Sequence, residues 1–363
     1  GSEMCIRDRA LIETGLQNNT DLNIARLKVT EAEATLMTSR LAYLPSISFE
    51  PSGTLRSVDG NAMTKSYDIA ASASWEVDIF GKLTNAKRGA KAALEQSEAY
   101  RQAVQTQLIA TIANSYYSLL MLDAQLDISE RTAAIWGENV RAMKALKAAG
   151  DATELAVAQS EASKLSVDAS IASLRQQIDQ MENTLTALLG IAPQKIDRTT
   201  IGEQRFPTEL AAGVPLQLLQ RRPDVRQSEA ALAQAFYATN AARAAFYPSI
   251  TLSGSAGWTN AAGAAITNPG QWLFTAVGSL VQPLFNRGKN IANLRIAKAQ
   301  QEEALLSFRQ SLLDAGTDVN NALIQWQTAR QRQQIDQQQI LSLESTVRSS
   351  ELLMQYSSQN YLE

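Results

Sequence analysis

The sequence predicts a mainly α-helical protein with β-structure, in which long antiparallel coiled-coil helical hairpins are joined to two β-hairpins. Three observations predict this class. Proline is absent from residue 52 to 192 and from 284 to 363, which permits long uninterrupted helices. Apolar residues in those stretches recur at steps of three and four, the period of an α-helix. Two shorter segments alternate between apolar and polar residues, the period of a β-strand.

The composition excludes several classes of function. The net charge is −3 and the lysines and arginines are scattered, so no basic surface for nucleic acid is predicted. The chain has no histidine, the commonest general base and zinc ligand. No carboxylate pair lies in a recognisable pocket motif. We therefore expect no enzyme activity, no cofactor, no metal site and no nucleic-acid partner.

The N-terminal segment, residues 1–9, differs in character from the rest of the chain. It holds the only cysteine, Cys5, and no apolar run precedes that residue. We interpret the segment as a scar of cloning or sequence assembly rather than a lipid-attachment site, and expect the natural N-terminus with any signal peptide to be missing. No window has the ~20 apolar residues of a membrane-spanning helix. Membrane contact is therefore expected through strands or a lipid anchor.

The chain contains an internal repeat. Residues 21–47 align without gaps with residues 224–250, and both segments close on Pro-Ser-Ile. Further on, Gly81-Lys82 aligns with Gly288-Lys289. We interpret this order as an ancestral duplication. The predicted first repeat spans 10–190, with a β-hairpin at about 45–80 and a helical hairpin at about 83–189. A linker covers 191–214, and the second repeat, truncated after its tip turn, covers 215–363 with a β-hairpin at about 248–285.

The β-hairpins alternate clearly in one strand of each pair. Between residues 67 and 80, Ile69, Trp75 and Val77 share one face, while Asp68 and Glu76 share the other. The segment from 272 to 285 alternates less cleanly. Two interpretations are open: a soluble sandwich with one face on a core, or a transmembrane barrel with one face on lipid. Four strands cannot close a barrel, which needs roughly eight. The chain offers no other strands, which favours copies that pool their hairpins.

The helices predict a second part of the molecule. The segment from residue 83 to 146 would extend ~95 Å as one helix. The chain then turns at Gly150, which suits a left-handed C-cap, and Asp151 or Thr153 can cap the next helix. Apolar steps of three and four then predict a coiled-coil seam, formed by Leu155, Ala158, Ala162, Leu165, Ala169 and Ala172 and continued by Leu174, Ile178, Met181, Leu185 and Leu188. Two such hairpins per chain, arranged around an axis, would form a helical cylinder beneath a barrel.

Residues 213–224 read Gly-Val-Pro-Leu-Gln-Leu-Leu-Gln-Arg-Arg-Pro-Asp. This segment, the first of three motifs in order, resembles the signature of the TolC-type outer-membrane efflux proteins, particularly the lipoprotein branch that serves resistance-nodulation-division pumps. Residues 74–82 are similar to that family's second strand and long-helix start, and the Pro-Leu-Phe at 283–285 and the Tyr-Leu-Glu at 361–363 also fit. The resemblance covers nearly everything from residue 10 to 363.

This resemblance implies a homotrimer with a twelve-stranded transmembrane β-barrel in the Gram-negative outer membrane, above a periplasmic helical tunnel. It implies an inner-membrane resistance-nodulation-division pump, a periplasmic adaptor and outer-membrane lipid as partners, and passive export of drugs, toxic compounds or metal ions. It also implies structural roles in the middle belt for Arg221, Arg222, Pro223 and Asp224.

The resemblance further implies a periplasmic aperture near the helical tips. By position it would involve Leu362, Glu363, Asp151 and Glu154, with Gly150 and Ser357 at the tip turns that meet an adaptor. Simple solvated turn residues are an equal alternative. The sequence departs from the family at Leu353-Met354 and at Ser357, where Arg-Tyr and Gly are common.

Two alternative functions stay open: a periplasmic coiled-coil adaptor or structural protein, and the outer-membrane channel of a type I protein secretion system.

Overall fold

A computed structural model describes residues 6–57, 63–204, 221–260 and 270–356. The first part of the chain contains helices α1 (Ile6–Asn18) and α2 (Thr20–Leu41), then strands β1 (Ser46–Arg56) and β2 (Thr64–Val77). Two helices come next, α3 (Lys82–Ala149) and α4 (Glu154–Leu189). The second part contains α5 (Pro223–Ala244), β3 (Ser249–Thr259), β4 (Gln271–Val281) and α6 (Lys289–Tyr356). Helix α1 already begins at Ile6, within the segment interpreted as a scar.

The helix and strand boundaries follow from local chemistry. Pro45 and Pro248 follow the turns after α2 and α5, and each proline disfavours helical backbone in the residue before it, so neither helix continues into the next strand. Asn19 caps α2 by accepting the Leu22 amide at 3.0 Å. Helix α3 has 68 residues and is therefore ~100 Å long, as the absence of proline predicts.

The four strands form one antiparallel sheet in the order β1-β2-β3-β4. The helices attached to them lie in the same order, because α2 packs on α3, α3 on α5, and α5 on α6. Helices α2, α3, α5 and α6 therefore form a single layer, which continues from the four-stranded sheet. Helix α4 returns along α3, and α1 contacts both α3 and α4.

The apolar core lies among the helices. Its largest cluster joins α1, α3 and α4, with Ile112, Leu119, Leu185 and Leu189 almost fully buried. A smaller cluster joins α5 to α6 at Val225 and Ala315. Among the described residues, no apolar strand side chain belongs to the buried core. The soluble-sandwich alternative is therefore wrong for a single chain.

One part of the predicted coiled-coil seam is wrong. Leu155 and Leu165 are exposed in the single chain, whereas Val157 and Ser160 of α4 are buried. The predicted stripe therefore lies on a different side of α4, because helical periodicity identifies an apolar stripe without identifying its neighbour. The second stripe, which begins at Leu174, does pack into the core as predicted.

In the part of the chain that the structure describes, none of the helices combines the length and the hydrophobicity that a membrane span requires.

Candidate functional site

The sheet has two chemically different faces. Residues directly opposite each other in antiparallel strands project to the same face, so the register assigns every strand residue. Ile69 lies opposite Pro51 and Trp258, and Trp258 lies opposite Trp272. The register therefore also shows which residues of β4 lie on each face, which the sequence alternation left uncertain. The apolar face holds Ile47, Phe49, Pro51, Leu55, Ile69, Ala71, Ala73, Trp75, Val77, Ile250, Leu252, Ala256, Trp258, Trp272, Phe274, Ala276 and Leu280.

The apolar face is uncovered in the single chain. Phe274 is 75% exposed and Ile47 is 77% exposed. Trp258 and Trp272 pack together with ring centroids 4.7 Å apart at the strand ends farthest from the helices. An apolar surface of four strands is far larger than a soluble monomer usually exposes. Such a surface, with aromatic rings near its rim, is typical of barrel strands that face lipid.

The opposite face is polar and rich in hydroxyl groups. Ser48 and Ser72 hydrogen-bond across β1 and β2 at 2.7 Å, and further serines and threonines continue across β3. Three carboxylates of the described strands share this face, those of Glu50, Asp68 and Glu76. Lys82 neutralises Glu76 through an ion pair of 2.8 Å. This face is therefore suited to line an aqueous pore.

The junction between sheet and helical wall is held by hydrogen bonds. The Asp78 carboxylate accepts the backbone amides of Leu83 and Thr84 at 2.9 and 2.8 Å, and it also accepts the Thr84 hydroxyl. Burial raises the pKa of Asp78, but these hydrogen bonds outweigh burial and hold the pKa below its usual value. The Trp75 indole N–H donates to the Tyr43 carbonyl at 2.9 Å. Asp78 therefore caps the long helix α3 and fixes it to the sheet.

The predicted tip turn lies between α3 and α4. Gly150 adopts a φ of +93°, and its amide donates to the Lys147 carbonyl at 3.1 Å. Thr153, rather than Asp151, caps α4 by accepting the Ala156 amide at 3.2 Å. Glu154 forms an ion pair with Lys147 across the turn. Asp151 is exposed.

The other predicted tip and aperture residues, Ser357, Leu362 and Glu363, lie outside the described residues. So do residues 205–214 of the predicted linker and residues 213–220 of the signature segment.

Residues 221–224, the part of the signature segment that the structure describes, lie beside α6. Arg222 donates to both carboxylate oxygens of Asp224 at 3.0 and 2.7 Å, to Asp318 at 2.8 Å, and to the Ala315 carbonyl at 3.3 Å. Hydrogen bonds from Arg222 lower the pKa of Asp224, and the two carboxylates raise the pKa of Arg222. Pro223 occupies the first turn of α5. Arg221 is exposed at the start of this segment. Arg222 thus connects the start of α5 to the middle of α6.

Sequence reasoning missed a second charged cluster. Arg198 donates to Asp123 of α3 at 2.9 Å and also to Glu182 of α4. Its side chain is 15% exposed and that of Glu182 is 8% exposed. The hydrogen bond from Arg198 to Asp123, opposed by burial and aided by Glu182, raises the pKa of Arg198. The cluster fixes the segment after α4 against both helices. No local motif marks it, because its members are far apart in the chain.

Comparisons with known proteins agree with this architecture. The model of the outer membrane efflux protein family matches residues 11–191 and 214–355. This chain belongs to the outer membrane efflux protein family. It is similar to the cation efflux system protein CusC of Escherichia coli O6:H1, with 30% identity over 98% of this chain and 78% of that protein. It is also similar to the pyoverdine export outer membrane protein OpmQ of Pseudomonas putida, with 33% identity over 90% of this chain and 72% of that protein.

Solved structures of the family share the fold. A crystal structure of CusC superposes with a TM-score of 0.87 and 29% identity, over 98% of this chain and 84% of that one. The open state of the MtrE outer membrane channel of Neisseria gonorrhoeae superposes with a TM-score of 0.89 and 27% identity, over 98% of this chain and 81% of that one. The chain is therefore an outer-membrane channel subunit of an efflux system, and its family consists of efflux ducts rather than enzymes.

Proposed function

We propose that three copies of this chain form a passive exit duct for small molecules, with a twelve-stranded barrel above a helical tunnel. Its partners in this proposal are a periplasmic adaptor and an inner-membrane resistance-nodulation-division pump, and its barrel is surrounded by outer-membrane lipid. The observation that carries the proposal is the two-faced sheet with one polar face, one exposed apolar face and two edge strands.

The number of strands supports assembly. Within the described part of the chain, β1 and β4 each have a strand neighbour on one side only. Unpaired backbone groups cannot be satisfied in a lipid bilayer, so the sheet must close. Four strands are about half of what a closed barrel requires. Three copies supply twelve strands, an ordinary number for an outer-membrane barrel.

The helices carry matching exposed stripes. Leu155 and Leu165 of α4 are exposed in the single chain. Helix α6 similarly exposes Ile340, Leu343 and Val347, which follow one another at steps of three and four. Apolar stripes at these spacings favour further helix packing, which neighbouring copies can supply around a shared axis.

The cargo class in this proposal is small molecules, including toxic compounds, drugs or metal ions. Relatives of this chain are named for cation efflux, pyoverdine export and antibiotic efflux. These names favour small cargo over the protein cargo of a type I secretion channel. The two-faced sheet and the family assignment disfavour a periplasmic adaptor.

The test is assembly and conductance of the full chain extracted in detergent. We expect a trimer by light scattering and stepwise single-channel conductance in a planar bilayer. Val277→Pro removes a backbone N–H from edge strand β4 and is expected to reduce trimer yield, whereas Val277→Thr retains that N–H and is expected to assemble. A monomeric wild-type chain without conductance would refute the proposal.

We further propose that the tip of the α3–α4 hairpin contributes to the periplasmic aperture and adaptor contact, with Asp151 and Glu154 on the pore side and Gly150 at the turn. A groove lined by Trp136 and Met143 runs up to this turn. Ser357, Leu362 and Glu363 belong to the same proposal by position. Asp151→Lys should reduce export in cells while conductive trimers still form. Unchanged export would assign Asp151 to the solvated surface.

A further inference from the structure

We propose that β4 pairs with β1 of the next subunit in one specific register, with Val277 opposite Thr54 and Ser279 opposite Ser52. The inference rests on the proposed trimer and specifies its seam. It uses the register inside one chain and the sequence repeat, and it identifies which residues meet at each of the three closures.

The first step is that the two hairpins are superposable in register. Residues 46 and 249 are equivalent in the repeat, since each follows the proline of a Pro-Ser-Ile segment. Ser46 lies opposite Ser74, and Ser249 lies opposite Val281. Ser74 and Val281 are separated by the same offset as Gly81 and Gly288. Both hairpins therefore place equivalent residues opposite each other.

The second step is the stagger between the hairpins. A line drawn straight across the sheet from Ser46 reaches Ser74 and then Ser253 of β3. The equivalent of Ser46 in β3 is Ser249, so crossing one hairpin advances the register by four residues. Strands closed into one barrel share a tilt, and the tilt is set by this stagger. The next crossing must therefore also advance by four residues.

The third step extends the line to the next subunit. From Ser253 it reaches Val277 of β4. The equivalent of Ser253 in β1 is Glu50, and an advance of four residues gives Thr54 of the next subunit. The same shift places Ser279 opposite Ser52, and Leu280 opposite Pro51.

The faces provide an independent check. Thr54 and Ser52 project to the polar face of β1, and Val277 and Ser279 project to the same face of β4. A slip by one residue would place apolar residues of one strand beside polar residues of the other. Slips by two residues preserve the faces but change the stagger, so they are the alternatives that an experiment must distinguish.

The sizes of the side chains along the seam also agree with the proposed register. Gly53 meets Gly278 in the proposed register, and each glycine already has a large neighbour in its own chain, Tyr67 and Leu252 respectively. The side chains of Tyr67 and Leu252 can therefore cover the two opposed glycines from both sides. Strand β4 carries no charged residue, so no like charges oppose each other across the seam.

The experiment is disulfide cross-linking in the full chain carrying Cys5→Ser. The matched pairs are Ser52→Cys with Ser279→Cys and, independently, Thr54→Cys with Val277→Cys. The mismatched controls keep Ser52→Cys and combine it with Val277→Cys or Val281→Cys, two residues away on the same face. Copper phenanthroline with oxygen is the oxidant, and non-reducing electrophoresis is the readout.

We expect both matched pairs to form covalent trimers more than about tenfold faster than the controls, because opposite residues lie closer than diagonal ones. Faster linking of a control pair, or no linking of any pair in intact trimers, would overturn the register while leaving the trimer in place. Light scattering on each variant, and on the chain that carries only Cys5→Ser, distinguishes this result from failure to assemble. A Cys5→Ser chain that forms no trimer would instead contradict the proposed function.

Discussion

Gly81 and Gly288 occupy equivalent positions in the two halves of the chain and adopt the same left-handed backbone, with φ of +74° and +75°. Each glycine lies between a strand and the long helix that follows it, α3 or α6. Residues with a Cβ rarely adopt this conformation. The shared geometry explains why both copies of the motif read Gly-Lys, and it agrees with the predicted duplication.

Replacing either glycine by alanine should weaken the junction between sheet and helix. A Cβ at positive φ costs about 1–2 kcal/mol, and at Gly81 it would also lie 3.3 Å from the Asn85 side chain. We expect Gly81→Ala and Gly288→Ala to lower the unfolding midpoint of the helical circular dichroism signal. Gly316→Ala is the control, because Gly316 lies within α6 with open space around it. There alanine should be neutral or stabilising.

The sequence predicted the elements well where local chemistry determines them. The uninterrupted helix α3, the tip glycine and the α4 stripe that begins at Leu174 all agree with the structure. The stripe that begins at Leu155 was predicted as part of the seam but is exposed in the single chain, because helical periodicity does not specify which neighbour a stripe meets. The facing of β4 required the register, since Val277 and Leu273 interrupt the polar alternation on its polar side.

Arg198 shows why the charged cluster behind α4 could not be predicted. Its partners Asp123 and Glu182 belong to two other elements, and only the folded hairpin brings them together. Arg198→Met should leave Glu182 as an uncompensated buried charge and cost about 3–5 kcal/mol in the free energy of unfolding. Arg175→Met is a matched control, since Arg175 pairs with Glu130 on the surface and should cost less than about 1 kcal/mol.

Restoring neutrality provides a second check on that cluster. Adding Glu182→Gln to Arg198→Met removes the buried charge, so part of the lost stability should return. If the double variant is as unstable as Arg198→Met alone, packing rather than charge accounts for the loss.

Asp224 should contribute stability that depends on pH. Its pKa in the folded chain is below the usual value because Arg222 donates hydrogen bonds to it. A lowered folded pKa stabilises the fold above the unfolded pKa, and this stability disappears as the pH falls through the folded pKa. Asp224→Asn should therefore cost a constant amount, below about 1 kcal/mol, between roughly pH 7 and 5. The difference from wild type should shrink below about pH 4.

The measurement is thermal unfolding of wild type and variant across that pH range. Arg222→Ala removes the main partner, so in that background Asp224→Asn should have a smaller effect, with only the Val225 amide still donating to Asp224 at 3.0 Å. A pH-independent difference would show that the Arg222 contact does not set the contribution of Asp224. An undiminished effect of Asp224→Asn in the Arg222→Ala background would lead to the same conclusion.

The polar face of the sheet should make the channel prefer cations. Glu50 lies opposite Ala70, and Asp68 lies opposite Ser52, so the two carboxylates are diagonal neighbours on that face. Arg56 shares the face and offsets one charge, while Lys82 neutralises Glu76. The described strands of each chain therefore contribute a net negative charge to the barrel lining, and a ring of carboxylates attracts cations.

Reversal potentials in asymmetric KCl test this expectation. Glu50→Gln combined with Asp68→Asn should move the reversal potential toward the anion side with single-channel conductance retained. Glu50→Asp combined with Asp68→Glu keeps both charges and should leave the reversal potential close to wild type. Lower ionic strength should enlarge the difference between the two variants, because fixed charges are screened less. Equal reversal potentials for both variants at low salt would mean that these carboxylates do not face the permeating ions.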